Sequence, residues 1–313
     1  MHNCLVGSEM CIRDRTKTAG PGSFSGFDLS SVPSPCFVTD LARLEDNLRL
    51  LNAVTEASGA HILTALKAFS LWSTAPLVSR YLAGACASGL YEARLARAHY
   101  SGLLSCFAPA YKTDEMDELA GLCDHIIFNT PQQISRFAGQ ATAQGAELGL
   151  RVNPCLPQGE VEKYDPAAPR SRLGTPVSQL ADYHFDQISG LHIHSLCEQG
   201  FSELENVISA VKPLLDRAGD RLSWLNLGGG HMITAPDYDR EALINCLCDL
   251  KQRYDLDIYL EPGTAIAFDA GILVGEVMDI MENDGPIAIL DISATCHMPV
   301  SYTHLTLPTI GCV

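Results

Sequence analysis

The sequence predicts an α/β fold, a (β/α)8 barrel of the TIM type followed by the start of a C-terminal β domain. Between Cys36 and Gly263, short apolar runs rich in β-branched residues alternate with longer amphipathic stretches. This alternation is typical of repeated strand-and-helix units around a parallel sheet. After Gly263, two strand-like runs follow each other without a helical stretch between them. The change of pattern indicates that a β domain begins there.

The strands of the alternating region are predicted from short apolar runs bounded by turn residues. In chain order they are CFVTD, HILTALKA, GACAS, LLSCFAP, HIIFNT, LGLRVNP, ISGLHIHSL, LSWLNLGGG and DIYLEPG. Their number favours a closed barrel. A doubly wound open sheet shows the same alternation and is the alternative architecture.

The helices between these strands are predicted from apolar residues at three- and four-residue spacing. Examples are LARLEDNLRLLNAVTEA, TDEMDELAGL, PQQISRFAGQATAQ, FSELENVISAVKPLLDRA and DREALINCLCDLKQRY. One long irregular segment, from Cys155 to Pro176, is rich in proline and is expected to border the functional site.

Four segments follow from this pattern. We expect the barrel at residues 16–265 and the start of a β domain at 266–299, with a turn at Asn283, Asp284 and Gly285. Residues 1–15 and 300–313 carry the runs CLVGSEMCIRDR and VSYTHLTLPTI, which resemble translated adapter sequence and are excluded from the fold. The natural protein is therefore expected to be longer than this chain.

Composition limits the functional class. The chain has 313 residues, of which 47% are hydrophobic and 19% are charged, as in a globular domain with a large core. No apolar run approaches the roughly 20 residues that span a bilayer, and no secretory signal is recognisable, so a cytoplasmic location is expected. Twelve cysteines without a CxxC pair indicate neither a zinc module nor a disulfide framework.

The formal net charge of −16 argues against nucleic acid or an anionic membrane as a partner. It mildly favours a cationic small molecule as ligand. Solubility alone is a sufficient reason for such acidity, so the charge does not define a site.

Two predicted strands end in side chains that could react or bind a ligand. Functional side chains of a parallel barrel project from the C-terminal ends of its strands. Lys67 closes a strand of small and apolar residues, where an ammonium is costly to bury unless it is paired or converted to an imine. His192 and His194 lie two residues apart and so share one face of a strand. Metal binding, stacking on a planar ring, and a core role are all compatible with these two histidines.

Two further strand ends carry glycine. Gly228, Gly229 and Gly230 follow a strand directly, and backbone N–H groups without side chains nearby can close around a phosphate. Glu261 precedes Pro262 and Gly263, which places a carboxylate at a strand tip. An imine-forming amine, a flat-ring partner, a phosphate cradle and an anion for a pyridine nitrogen are together the parts of a site for pyridoxal 5′-phosphate (PLP).

At these residues the sequence resembles the fold type III PLP decarboxylases, and within them the group that acts on carboxylated polyamines. The resemblance runs from about Val32 to Pro299. The general motifs are ALKAFS, CASGLYEARLA, LRVNP, LNLGGGH and LEPG, while YDPAAPRSRLG, HSLCEQ and ATCHMP, within the longer runs EVEKYDPAAPRSRLG, GLHIHSLCEQ and DISATCHMP, narrow the group.

The resemblance implies a residue-by-residue assignment. Lys67 would carry PLP as an imine and serve as the catalytic residue, and His194, rather than His192, would stack on the pyridine ring. The phosphate would be bound by Gly228, Gly229, Gly230 and Gly263, and Glu261 would pair with the pyridine nitrogen. The implied activity is decarboxylation of carboxynorspermidine or carboxyspermidine by a cytoplasmic homodimer without a metal.

Two departures from the family pattern affect substrate recognition. Thr264 stands where the family carries an acidic residue aimed at the substrate's distal amines, and Val300 stands where the family carries an aspartate. Because the β domain stops early, the chain as written is expected to be inactive.

Three alternatives stay open from the sequence alone. They are a related decarboxylase of diaminopimelate, ornithine or arginine, a PLP-binding fragment without turnover, and a metal-dependent barrel hydrolase that uses His192 and His194. Carboxynorspermidine and carboxyspermidine differ by one methylene, so the sequence does not decide between them.

Overall fold

The computed structural model describes residues 24–159, 162 and 165–297. This part of the chain divides into two compact units, Glu45–Phe268 and the segments 24–44 and 269–297. The terminal segments 1–15 and 300–313, with Val300, lie outside the described residues, as do Glu160, Val161, Lys163 and Tyr164 of the EVEKYDPAAPRSRLG motif.

The strands of the described residues are numbered here in chain order. They are β1 (Cys36–Thr39), β2 (His61–Ala65), β3 (Gly84–Ala87), β4 (Leu103–Phe107), β5 (His125–Phe128), β6 (Glu147–Asn153), β7 (Thr175–Pro176), β8 (Gly190–His192), β9 (Trp224–Asn226), β10 (Asp257–Leu260), β11 (Gly271–Val274), β12 (Val277–Glu282) and β13 (Pro286–Leu290).

The α-helices are numbered in the same way. They are α1 (Leu41–Ser58), α2 (Ala75–Val78), α3 (Leu90–His99), α4 (Met116–Leu122), α5 (Pro131–Ala143), α6 (Phe201–Ala218), α7 (Arg240–Tyr254) and α8 (Ala294–His297). The helices predicted from apolar spacing at α1, α4, α5, α6 and α7 are all present, with ends that differ from the predicted ends by at most three residues.

Eight parallel strands close into a barrel within Glu45–Phe268. The hydrogen-bonded order is β5-β4-β3-β2-β10-β9-β8-β6, and the pairing of β5 with β6 closes the ring. In four of these strands, β5, β8, β9 and β10, every residue is buried except Asp257 at the start of β10. Strands covered on both faces are expected in a parallel barrel, since helices surround it and side chains fill it. The predicted barrel is confirmed.

One bulky side chain fills the lower part of the barrel. Trp224 of β9 is buried, stacks on the ring of His125 at 4.4 Å, and donates its indole N–H to Glu147 at 2.9 Å. Its neighbours across the sheet are Gly190 and Gly149, where a Cβ would lie 2.0 Å and 2.4 Å from the indole. Glycine at both positions therefore makes room for the tryptophan.

The strand predicted at CFVTD does not belong to the barrel. Cys36–Thr39 pairs antiparallel with β11, in the other unit. The remaining eight predicted runs are the eight barrel strands. A short apolar run does not reveal its pairing partner, because parallel and antiparallel strands share the same residue preferences.

The β domain begins as a short antiparallel arrangement. β12 and β13 form a hairpin around Asn283, Asp284 and Gly285, with Asp284 and Gly285 at positive φ, which confirms the predicted turn. The run DAGILVGEVMDI forms two strands, β11 and β12, instead of one. The predicted limits 16–265 and 266–299 stay predictions; the observed division differs by joining residues 24–44 to the C-terminal strands.

Among the described residues, every helix is too short or too polar to cross a bilayer.

Candidate active site

The predicted site residues meet at the C-terminal end of the barrel strands. Lys67 follows β2 by two residues, His192 ends β8, and His194 comes two residues later. Gly228 is the second residue after β9, and Glu261 is the first residue after β10. Because parallel strands all end at the same rim, these side chains come from four strands into one place.

Glycine lets the four strand ends approach each other. A Cβ at Gly228 would lie 2.6 Å from the Cβ of His194, and one at Gly229 would lie 2.1 Å from the carbonyl oxygen of Glu261. A Cβ at Gly263 would lie 2.5 Å from the Cβ of Ala68, next to Lys67. Any larger residue at these three positions would push the strand ends apart.

The conformation of the glycine run also requires glycine. Gly228 and Gly230 have φ of +66° and +87°, which side chains with a Cβ rarely adopt. The N–H groups of Gly229 and Gly230 find no acceptor among the described residues. Two backbone donors are therefore available at the end of β9.

Glu261 is a buried carboxylate held by two neighbours. Its side chain contacts Nε2 of His192 at 3.2 Å and accepts a hydrogen bond from the Asn226 amide at 2.7 Å. Burial disfavours its ionisation, but His192, Asn226 and the charge of Lys67 outweigh burial and hold the pKa of Glu261 below its ordinary value. The carboxylate is therefore an anion at neutral pH.

Both histidines are kept neutral. His192 is fully buried, and burial lowers its pKa. His194 is half-buried, and burial together with the positive charges of Lys67 and Arg151 lowers its pKa well below the ordinary value. The ring centroids lie 5.9 Å apart in an edge-to-face arrangement, and His194, two residues beyond the end of β8, is the more exposed of the two.

Lys67 and Thr264 are the exposed members of the predicted set. The ammonium of Lys67 makes no hydrogen bond or ion pair to another described residue, although its charge influences His192, His194 and Glu261. Thr264 follows Gly263 at the same rim. An unpaired lysine near a buried carboxylate and neutral imidazoles is available for covalent chemistry.

Sequence reasoning missed two residues of this site. Arg151 of β6 is 3% exposed, lies 4.3 Å above the Phe107 ring, and donates to the His194 carbonyl at 2.5 Å. Asn226 of β9 joins Glu261 to the glycine run. Arg151 interrupts the apolar residues of LGLRV, and that interruption was the available signal.

The irregular segment between β6 and β8 is fastened to the barrel rim. Asn129 donates to the Arg172 carbonyl at 2.9 Å and accepts from the Gly174 N–H at 2.6 Å, while Asp165 accepts from the N–H groups of Gln158 and Gly159. Asn129, the residue after β5, therefore ties the described part of YDPAAPRSRLG to the barrel rim, and the expectation that the segment borders the site stays a prediction.

Curated relatives cover most of this chain. It is 38% identical over 268 residues to the carboxynorspermidine/carboxyspermidine decarboxylase of Campylobacter jejuni, which covers 86% of the chain and 70% of that protein. The chain belongs to the family of the carboxynorspermidine/carboxyspermidine decarboxylases. It is thus a decarboxylase. No protein-family model matches the chain.

Another member of this decarboxylase group is nearly as similar. The carboxyaminopropylagmatine decarboxylase of Synechocystis is 36% identical over 273 residues, which is 87% of this chain and 70% of that protein.

Solved structures agree with the family. The carboxynorspermidine decarboxylase of Campylobacter jejuni, solved with norspermidine, has a TM-score of 0.77 at 36% identity and covers 87% of this chain and 71% of its own. A structure named SrLDC, solved with PLP and cadaverine, has a TM-score of 0.69 at 18% identity and covers 88% of this chain and 73% of its own. The second comparison supports the fold alone.

Proposed function

We propose that the activity of this family member is the PLP-dependent conversion of carboxynorspermidine or carboxyspermidine into norspermidine or spermidine and CO2. The expectation that the chain as written is inactive stays a prediction. The observation that carries the proposal is the 38% identity to the Campylobacter jejuni enzyme over 86% of the chain. Two of the motifs that distinguish this group, HSLCEQ and the described part of YDPAAPRSRLG, follow barrel strands at the same end as Lys67 and Glu261.

The residues at the barrel end fit PLP. The N–H groups of Gly229 and Gly230, without acceptors among the described residues, are suited to phosphate oxygens, and no Cβ fits at Gly228, Gly229 or Gly263. Lys67 provides an amine that makes no hydrogen bond or ion pair to another described residue. Glu261 provides an anion for a protonated pyridine nitrogen. We propose that these residues, together with Gly230 and His194, bind PLP.

Each residue has a distinct proposed role. When bound, PLP supplies the electron sink that takes up the electron pair left by the departing carboxylate. Lys67 would supply the amine that holds the cofactor. His194, kept neutral by burial, offers a flat face to the ring without adding a positive charge. Glu261 favours the protonated form of the pyridine nitrogen.

Substrate recognition is proposed to involve Thr264. It is exposed at the rim beside Gly263, and a hydroxyl binds an ammonium more weakly than a carboxylate does. The net charge of −16 favours the approach of a cationic polyamine. A cytoplasmic homodimer without nucleic-acid or membrane partners is proposed with it, on the resemblance to the family.

The experiment is product analysis with a panel of substrates. The PLP-loaded chain is incubated with carboxynorspermidine, carboxyspermidine, carboxyaminopropylagmatine and meso-diaminopimelate, and amines and CO2 are measured by mass spectrometry. Norspermidine or spermidine formation that Lys67→Ala abolishes supports the proposal. Preferred turnover of carboxyaminopropylagmatine, the substrate named for the 36% identical relative, would show that the proposed substrate is wrong. PLP binding without any product would indicate a non-catalytic fragment.

One observation bears on the metal-dependent hydrolase that the sequence left open, an alternative that membership in a decarboxylase family does not support. Among the described residues, His192, His194 and Glu261 offer ligand atoms that all lie within 4.8 Å of one another. Two imidazoles and one carboxylate form a common catalytic zinc site. Metal analysis of the purified protein separates the candidates, because the decarboxylase is expected to contain PLP with no stoichiometric zinc.

A further inference from the structure

Both carboxylate oxygens of Glu261 contact side chains that lie deeper in the barrel. Nε2 of His192 contacts Oε2 at 3.2 Å, and Nδ2 of Asn226 donates to Oε1 at 2.7 Å. His192 and Asn226 are both 0% exposed. We call these two side chains the carboxylate clamp.

The neighbours of His192 define which nitrogen carries its proton. Burial lowers the pKa of His192, so the ring is neutral and has a single N–H. The ionised Glu261 only accepts hydrogen bonds, so the proton lies on Nε2. Nδ1 is then a buried acceptor, and it has no partner among the described residues.

This arrangement carries a cost that a hydrophobic side chain would avoid. A buried acceptor without a hydrogen bond destabilises the fold, and a leucine of similar volume would leave no such acceptor. A purely structural histidine at this position is therefore unfavourable. The hydrogen bond that Nε2 donates to Glu261 is the contact that explains a histidine at this position.

Asn226 is oriented by two partners of opposite character. Its Oδ1 accepts from the Gly228 N–H at 2.8 Å, and its Nδ2 donates to Glu261. A backbone N–H only donates and a carboxylate only accepts, so the amide has one consistent orientation. Asn226 thereby joins the glycine run at the end of β9 to the carboxylate at the end of β10.

We infer that His192 and Asn226 are positioning residues that hold both oxygens of Glu261 and aim its carboxylate at the pyridine nitrogen of the cofactor. The inference rests on the proposed function for the identity of that cofactor. Without the two donors, burial alone would favour the neutral carboxylic acid, which pairs poorly with a pyridinium. The charge of the ring, and with it the electron sink, thus depends on two residues that need not touch it.

The first test compares His192→Gln with His192→Leu in the complete chain. Glutamine places an amide N–H close to the position of Nε2, whereas leucine fills similar space without a donor. His125→Leu is the matched control, since His125 is 5% exposed in the same barrel, has an unpartnered Nδ1, and makes no hydrogen bond to Glu261. PLP labelled with 15N at the ring is titrated and its protonation is followed by NMR.

We expect His192→Leu to bind PLP about tenfold more weakly and to lose the ring proton at lower pH than the wild type. His192→Gln should stay within about threefold of the wild-type affinity and retain the protonated ring, and His125→Leu should retain it as well. Wild-type affinity and ring protonation in His192→Leu would overturn the inference. Asn226→Asp, which keeps the acceptor for Gly228 but sets a carboxylate against Glu261, should resemble His192→Leu.

A second test needs no cofactor and separates the inference from the proposed function. The Tm of the cofactor-free protein is measured with and without His192→Leu in two backgrounds, one that keeps Glu261 and one that carries Glu261→Leu. We expect His192→Leu to lower the Tm by about 3 °C or more when Glu261 is present. In the Glu261→Leu background His192 has no acceptor to lose, so we expect His192→Leu to leave the Tm unchanged. Equal losses in both backgrounds would contradict the clamp. Failure of the wild type to bind PLP would contradict the proposed function instead.

Discussion

His192 and His194 occupy neighbouring positions on one strand end but have different surroundings. His192 is fully buried against Glu261, whereas His194 is half-buried and its backbone carbonyl, not its ring, receives the hydrogen bond from Arg151. The difference follows from depth in the barrel, because the residue nearer the strand end lies nearer the opening. One strand therefore presents a histidine that supports the site and a histidine that can face a ligand.

This contrast predicts different consequences of substitution. His194→Ala should weaken PLP binding and shift its visible absorbance, with the Tm of the cofactor-free protein changed by less than about 2 °C. His192→Ala should lower that Tm by more, about 4 °C, since it removes a buried hydrogen bond and leaves a cavity. Absorbance titration and thermal unfolding of the two variants check both expectations.

The expectation fails if His194→Ala binds PLP as tightly as the wild type. It also fails if the two variants lose the same Tm, since equal losses would place both rings in the same packing environment.

At the scale of elements, the packing of three adjacent strands depends on one large side chain. Trp224 of β9 occupies the space that side chains at Gly190 of β8 and Gly149 of β6 would need. The large residue and the two small residues lie at the same level of the barrel. Interdigitation of large and small side chains is how a barrel interior reaches dense packing.

This packing predicts that Gly190→Ala destabilises the barrel. The added Cβ would lie 2.0 Å from the indole, so the tryptophan or a strand must move, at a cost of about 1–3 kcal/mol and several degrees of Tm. Gly139→Ala is the matched control. Gly139 lies inside helix α5 with nothing within 4 Å of an added Cβ, so alanine should raise stability by about 0.5–1 kcal/mol.

Thermal unfolding of the two variants measures both effects. A Gly190→Ala variant that unfolds at the wild-type temperature would show that the indole has room to shift.

The elements differ in how far the sequence predicts them. The α6 run FSELENVISAVKPLLDRA was predicted to the residue because its apolar spacing is regular and its end is marked by Gly219. CFVTD was predicted as a strand but placed in the wrong sheet, since periodicity identifies a strand and not its partner. The strand-end motifs of the site were visible because functional groups of barrels gather at one rim. Asn226 and Arg151 were not, because their roles depend on neighbours that are distant in sequence.

At the scale of the whole molecule, buried histidines make stability depend on pH. Burial lowers the pKa of His125, His192, His194 and His231, the last to about 4. In the unfolded chain these groups take up protons near pH 6.5, while in the fold they stay neutral to lower pH. The unfolded state therefore binds more protons on acidification, and stability falls.

We predict that the cofactor-free protein is most stable above about pH 6.5 and loses stability as the pH falls toward 4. His231 alone contributes a loss of up to about 3 kcal/mol across that window, given its pKa of about 4. Glu261, whose pKa is lowered, adds a further loss only below its unfolded pKa of about 4.5.

Denaturant unfolding at pH 7.5, 6.0 and 5.0 measures this slope. His231→Asn removes one of the four histidines whose pKa is lowered by burial and should flatten the slope. Equal slopes for the wild type and His231→Asn would contradict the account.

The central claim is that the end of the barrel binds PLP through Lys67. The most direct measurement is borohydride reduction of the PLP-treated chain, followed by proteolysis and mass spectrometry of the labelled peptides. We predict one phosphopyridoxyl group on the peptide that contains Lys67 and no stoichiometric label in Lys67→Ala. A label on another lysine, or an equal label in Lys67→Ala, would contradict the claim.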